Sequence, residues 1–201
     1  MRKSEFASLP DAALWKQALS GDKAAFSYLY ETFAPVLYNY SYRFTGDQAF
    51  TEDCIQELFL RLLERGSNLS ETDSIKFYLF RALRRDIVRR LDARDQQTLP
   101  LLERDTDFRV EFTHEPSWLE HRISEERSGH LLSLLNRLPA RQKEVVYLRF
   151  YDELPYDEIA QIMGISQLST YKVLYKALAS LGKHLPARAA LSLLLLLLTK
   201  P

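Results

Sequence analysis

A single cysteine, Cys54, stands in a chain of 201 residues. No intrachain disulfide can form, and a reducing, cytoplasmic setting fits. Net charge is also missing: 27 Lys and Arg balance 27 Asp and Glu, which is unusual for a protein that holds nucleic acid unaided. No apolar run reaches the roughly twenty residues of a membrane-spanning helix. The longest, Ala189 to Leu198 (AALSLLLLLL), has ten positions; it is too short to span and is open to two readings, docking onto the last domain or a surface for a partner. The opening MRKSEFASLPD lacks the apolar core of an export signal. Neither a Gly-rich phosphate loop nor an HExxH metal motif is present.

What is present describes a folded chain. Apolar residues make up 46% and aromatics 12%, which argues against disorder, and the length suits one large or two small domains. Charge is unevenly spread. Lys76 to Arg94 holds seven basic and two acidic residues, whereas Glu103 to Arg127 holds eight acidic and four basic ones. Basic stripes beside acidic stretches suit a chain whose DNA affinity stays low until something else positions it.

In chain order, Leu9 to Ser20 reads as a short amphipathic helix broken by Gly21 and Asp22. Lys23 to Phe44 carries Phe26, Leu29, Tyr30, Phe33, Leu37, Tyr40 and Phe44 at spacings of three and four. That predicts one buried stripe, with Pro35 bending or interrupting the run. Thr51 to Glu64 (TEDCIQELFLRLLE) divides on a helical wheel. Cys54, Ile55, Leu58, Phe59 and Leu62 face inward, while Asp53, Gln56, Glu57, Leu60 and Glu64 share the outer face. A leucine amid acids and an amide suits a protein-binding surface. Asp53 and Glu57 could instead be a carboxylate pair for acid and base chemistry, but no nucleophile or metal set accompanies them.

Gly66 to Ser74 is a polar loop by composition. The following KFYLFRALRRDIVRRL predicts a helix that buries Leu79, Phe80, Leu83, Ile87 and Leu91. Tyr78, Arg81, Arg85 and Arg89 line its outer side, flanked by Arg84 and Arg90. Arginines one turn apart repel, so the stripe does not serve helix stability; interleaved with a ring, it suits phosphates and unstacked bases. Asp92 to Arg127 reads as a linker with a short helix near Trp118 to Arg127. Its HEPSWLEH places His114, Glu115 and His121 at a spacing that no shared helical face allows, so no metal site is expected. Ser128 to Leu138 is again amphipathic, and Pro139 ends it.

Leu138 to Leu185 contains three apolar-periodic segments, the last two joined only by Gly164 and Ile165, which reads as a helix-turn-helix. Pro155, Asp157 and Glu158 suit one helix start, and Ser166 is a good N-cap for the next. On the last helix Thr170, Leu174, Ala177, Leu178 and Leu181 form the packing side. Leu168, Ser169, Lys172, Tyr175 and Lys176 face away from it, with Tyr171 and Val173 flanking.

An acidic helix, an arginine-rich helix beside a loop and a downstream helix-turn-helix, in this order, resemble the extracytoplasmic-function sigma factors of bacterial RNA polymerase. The resemblance runs from about Ser20 to Leu185 through GDKAAFSYLYETFAPVLYNY, TEDCIQELFLRL, FYLFRALRRDIVRRL and LPARQKEVVYLRFYDELPYDEIAQIMGIS. It implies two small helical domains joined by a flexible linker: residues 1–94, a linker at 95–127, residues 128–188 with the helix-turn-helix, and an apolar tail at 189–201. It also implies core-polymerase binding by Asp53, Gln56, Glu57, Phe59 and Leu60. Minus-ten DNA would be held by Tyr78, Arg81, Arg84, Arg85 and Arg89. Minus-thirty-five DNA would meet Ser166, Gln167, Leu168, Ser169, Tyr171, Lys172, Tyr175 and Lys176. An anti-sigma factor is an expected partner; no cofactor, metal or catalytic role is expected.

This chain departs from the family pattern at Arg85 and Arg89, where Asn and Asp are usual, and at Tyr78, where Trp is frequent. Thr170 and Val173 stand where Val and Arg are common. Promoter sequence therefore does not carry over. The alternative is a stand-alone helix-turn-helix regulator binding operator DNA, against which the Thr51 to Glu64 surface and the neutral charge both count.

Overall fold

The computed structural model describes residues 2–94, 108 and 132–183, and every structural statement below concerns these. The chain forms two compact units, residues 1–102 and 103–201. In the first unit the helices are α1 (Arg2–Ala7), α2 (Asp11–Leu19), α3 (Lys23–Thr45), α4 (Gln48–Arg65) and α5 (Ile75–Arg94), with a 3-10 turn at Gly66–Asn68. In the second, a helical turn at 132–136 precedes α6 (Ala140–Val146), a π turn (Tyr147–Tyr151), α7 (Tyr156–Met163) and α8 (Gln167–Gly182). No strand occurs among the described residues.

Local chemistry sets the helix starts of the first unit. Asp22 accepts from the amides of Ala24 (2.8 Å) and Ala25 (3.2 Å) to open α3. Asp47 does the same for α4 through Phe50 (3.0 Å). Pro35 lies inside α3 without ending it. Its ring sits on the exposed side, and the helix packs on α2, α4 and α5. That packing holds the turn despite the lost amide.

The predicted aromatic stripe of α3 is only partly buried. Leu29, Leu37 and Tyr40 are fully enclosed and Phe44 nearly so, whereas Phe26 and Phe33 are half-buried and Tyr30 is exposed. Tyr40 packs between Phe44 (5.3 Å) and Phe80 of α5 (4.8 Å). The five inward residues predicted for α4 are all buried, as are Leu79, Phe80, Leu83 and Ile87 of α5.

In the second unit α8 packs on α6 and α7. Its buried side is Thr170, Leu174, Ala177 and Leu181, and Leu178 is half-buried. Phe108, within the stretch read as linker, is fully buried with its ring 5.9 Å from that of Tyr147. The remaining linker positions, the helix expected near Trp118 to Arg127, the His114, Glu115 and His121 group and the apolar tail lie outside the described residues. No described helix is long and apolar enough to cross a membrane, and no metal-binding cluster occurs among the described residues.

Candidate functional site

Three surfaces carry the predicted residues. On α4 the outer face is as the periodicity predicts: Asp53, Gln56, Glu57, Leu60 and Glu64 are exposed, Leu60 at 53%. Phe59 is a correction. At 3% exposure it cannot meet a partner directly, because its position on the wheel turns it onto α3, where the rings of Tyr30 (4.8 Å) and Phe26 (6.1 Å) pack edge-on against it. The sequence reading also missed Leu63, 57% exposed, which continues the apolar part of this face beside Leu60.

On α5, Arg81, Arg85 and Arg89 are exposed as predicted. Arg84 is the second correction: it is 7% exposed, because it follows Phe80 by one turn and lies between Leu83 and Ile87 on the packed side. Tyr78 is half-buried, its ring 4.7 Å from Trp15 of α2. Trp15 in turn donates its indole N–H to Ser70 O in the polar loop (3.1 Å). Asp11 of α2 accepts from the first amide of α5, Ile75 (2.8 Å). Ser74 accepts from Phe77 (3.3 Å), so α5 is capped by its own loop and by α2 together. The loop and the start of the arginine helix are therefore fixed by residues far away in sequence.

Arg61 and Arg65 of α4, which periodicity did not single out, converge with Arg85 and Arg89 on a groove between α4 and α5, with Tyr78 also lining it. Asp86, buried at its back, pairs with Arg61 and with Arg89 (3.0 Å). Burial pushes the Arg61 guanidinium below its ordinary range. Arg89, Arg90 and Arg65 push the same way, and Glu57 opposes them. One carboxylate among these cations leaves the groove electropositive, and its charges come from both helices. Spacing within α4 shows Arg61 and Arg65 one turn apart, but only the packing brings them to α5.

In the second unit Gly164 ends α7 in the left-handed region (φ 66°), and its amide bonds Ala160 O. The amide of Ile165 reaches the same carbonyl (3.0 Å), a glycine C-cap that makes the turn tight. Ser166 then opens α8, accepting from the amide of Ser169 (3.1 Å). The Ser166 and Ser169 hydroxyls also bond each other (2.8 Å). Gln167, Leu168, Tyr171, Lys172, Tyr175 and Lys176 are exposed and Ser169 is half-buried. Thr170 is fully buried and donates to Ser166 O (3.3 Å). This departure from the family pattern therefore sits on the packed side of α8, off the outer face.

The comparisons agree with this layout. The profile of Sigma-70 region 2 matches residues 29–97 and that of Sigma-70, region 4 matches residues 129–181. The chain is 30% identical over 182 residues to the ECF RNA polymerase sigma factor BldN of Streptomyces coelicolor, covering 86% of this chain and 65% of BldN. It is 42% identical over 55 residues to the RNA polymerase sigma factor SigF of Mycobacterium tuberculosis, covering 27% of this chain and 21% of SigF. The chain thus spans less than two thirds of either relative. In fold it is similar to the sigma factor RpoE of Bartonella quintana, solved in complex with the anti-sigma factor NepR. The TM-score is 0.54 at 16% identity, over 79% of this chain and 94% of that one. With region 2 on the unit that carries the acidic and arginine-lined faces and region 4 on the helix-turn-helix, the chain belongs to the sigma-70 family, in its extracytoplasmic-function branch.

Proposed function

We propose that this chain is a promoter-specificity subunit: it binds core RNA polymerase, directs it to particular promoters and starts transcription without making a covalent change itself. The observation that carries the reading is the presence, in one chain, of an acidic face centred on Leu60, an arginine-lined groove beside it and a capped helix-turn-helix. The α4 residues Asp53, Gln56, Glu57 and Leu60 dock on core polymerase, and Phe59 supports that face from beneath. Tyr78, Arg81, Arg85 and Arg89, with the Gly66 to Ser74 loop, hold the separated minus-ten strand, to which guanidinium groups and a ring are suited. Arg84 anchors α5 and makes no DNA contact.

Ser166 takes the Ser169 amide and leaves the other first-turn amides of α8 to a phosphate. Gln167, Leu168, Ser169, Tyr171, Lys172, Tyr175 and Lys176 meet the major groove of the upstream element. In this reading residues 1–94 and 128–188 are the two working domains, 95–127 connects them and 189–201 is an appended apolar tail. The site of action is the cytoplasm. An anti-sigma factor, of the kind RpoE was solved with, is the proposed inhibitor.

Transcription of a supercoiled genomic promoter library by purified core polymerase, with and without this chain, tests the reading. New start sites sharing an upstream and a minus-ten element are expected. Their absence, together with tight sequence-specific DNA binding by the free chain, would favour the operator-binding regulator.

A further inference from the structure

The outer face of α8 carries an apolar strip among its polar groups. Leu168, Tyr171 and Tyr175, at spacings of three and four, are 63%, 46% and 74% exposed, and they form one line along the helix. Exposed lysines, Lys172 and Lys176, stand beside that line. A surface with an apolar strip edged by cations fits a partner with anionic walls and an apolar feature between them. The major groove of duplex DNA is such a partner: phosphates form its walls, and the thymine C5-methyl is the one apolar group on its floor.

One member of the strip is held in place. The Tyr171 ring centroid lies 4.4 Å from that of Tyr156, the first residue of α7. The Arg149 guanidinium lies 4.6 Å from the centre of the Tyr156 ring and donates to Leu154 O (3.1 Å). Arg149 is buried within the π turn, so the series begins at a fixed point of the fold. A half-exposed tyrosine on a bare helix samples several rotamers, and ring packing removes that freedom before DNA arrives. The turn, rather than α8 alone, therefore sets where the Tyr171 ring stands.

Building on the promoter-reading role given above, we propose that Leu168, Tyr171 and Tyr175 recognise thymine methyl groups in the upstream element. In this proposal Tyr156, backed by Arg149, is the positioning residue that holds the Tyr171 ring in the strip. The ligand class is T-bearing duplex DNA, recognised by its methyl groups.

Deoxyuridine replaces thymidine without changing any base-edge donor or acceptor, so it isolates the methyl. The experiment uses holoenzyme assembled from the full chain and core polymerase, on a promoter first selected from the library. Each upstream thymidine is replaced in turn, and open-complex formation is compared on the two templates. A loss of about fourfold is expected at one or more positions, the scale of one buried methyl. Tyr171→Ala and Tyr156→Leu should bring the thymidine-to-deoxyuridine ratio to one at one and the same position, and Tyr156→Phe, which keeps the ring, should retain it there. The ratio is internal to each variant, so a smaller folded fraction cancels.

Equal wild-type activity on both templates overturns the proposal and leaves a protein partner as the occupant of the strip. A Tyr156→Leu chain that loses activity but keeps the ratio makes Tyr156 a phosphate contact and overturns the positioning role. A Tyr156→Phe chain that behaves like Tyr156→Leu overturns it as well. Failure of the wild-type holoenzyme to select any promoter is scored before any thymidine is replaced, and it removes the underlying promoter reading instead.

Discussion

Glu57 and Arg84 show how differently two charged side chains of helical faces are used. Glu57 is exposed beside Leu60, so its charge is available to a partner and its replacement leaves the α4 core of Cys54, Leu58 and Leu62 untouched. Reversing it with Glu57→Lys should weaken co-purification with core polymerase by about tenfold or more, while circular dichroism and the melting temperature stay as in the parent chain. Unchanged co-purification would move the dock elsewhere. Arg84 lies on the same helix as three exposed arginines, yet it is buried. Asp86, two positions on, is buried too and faces cations from both α4 and α5. The arginines of one helix thus separate into exposed groups and a buried anchor, and the boundary between Arg84 and Arg85 is a single step of the wheel.

At the scale of elements, helix ends decide where the faces stand. The caps of α3, α4 and α8 are local, each made by a residue immediately before its helix, and for α8 the sequence reading identified Ser166. The start of α5 is different, because the carboxylate on the Ile75 amide comes from Asp11, 64 positions earlier in α2. Asp11→Ala should destabilise the first unit by about 1 kcal/mol, lowering its melting temperature by roughly 4 °C or more. Asp11→Asn keeps an acceptor oxygen and should recover most of the loss. Equal melting of both variants and the parent would show that Ser74 alone suffices. Because Trp15 also ties the loop through Ser70, α2 positions the first turn of α5, where the proposed function places the minus-ten strand.

For the whole molecule, the zero net charge sets how binding works. Basic residues on α5 and α8 are offset by acids elsewhere, so under the proposed function long-range attraction to DNA is weak and phosphate contacts count only once polymerase holds the chain in register. Fluorescence anisotropy at physiological salt should show free chain binding its promoter duplex at least about 100-fold more weakly than holoenzyme does. Nanomolar binding by the free chain would contradict this and support the regulator alternative.

Periodicity alone determined the all-α class, the inner and outer faces of α4, the burial of Leu79, Phe80, Leu83 and Ile87 on α5 though not that of Arg84 and Asp86, and the tight turn between α7 and α8, while Leu91, expected inside, is half-buried. These are local consequences of 3.6-residue geometry and of capping chemistry at Gly164 and Ser166, so they are legible in any window of the chain. Periodicity could not show the partial exposure of Tyr30 or the passage of α3 through Pro35, which depend on which neighbour each turn meets; Phe59 it placed inward, and only the family resemblance made that residue a contact. Nor could it show Asp11 capping α5, Arg61 and Arg65 joining Arg85 and Arg89, or Tyr156 meeting Tyr171. Each of these joins residues from different helices, and only tertiary packing brings such pairs within the few ångströms over which hydrogen bonds, ion pairs and ring contacts act.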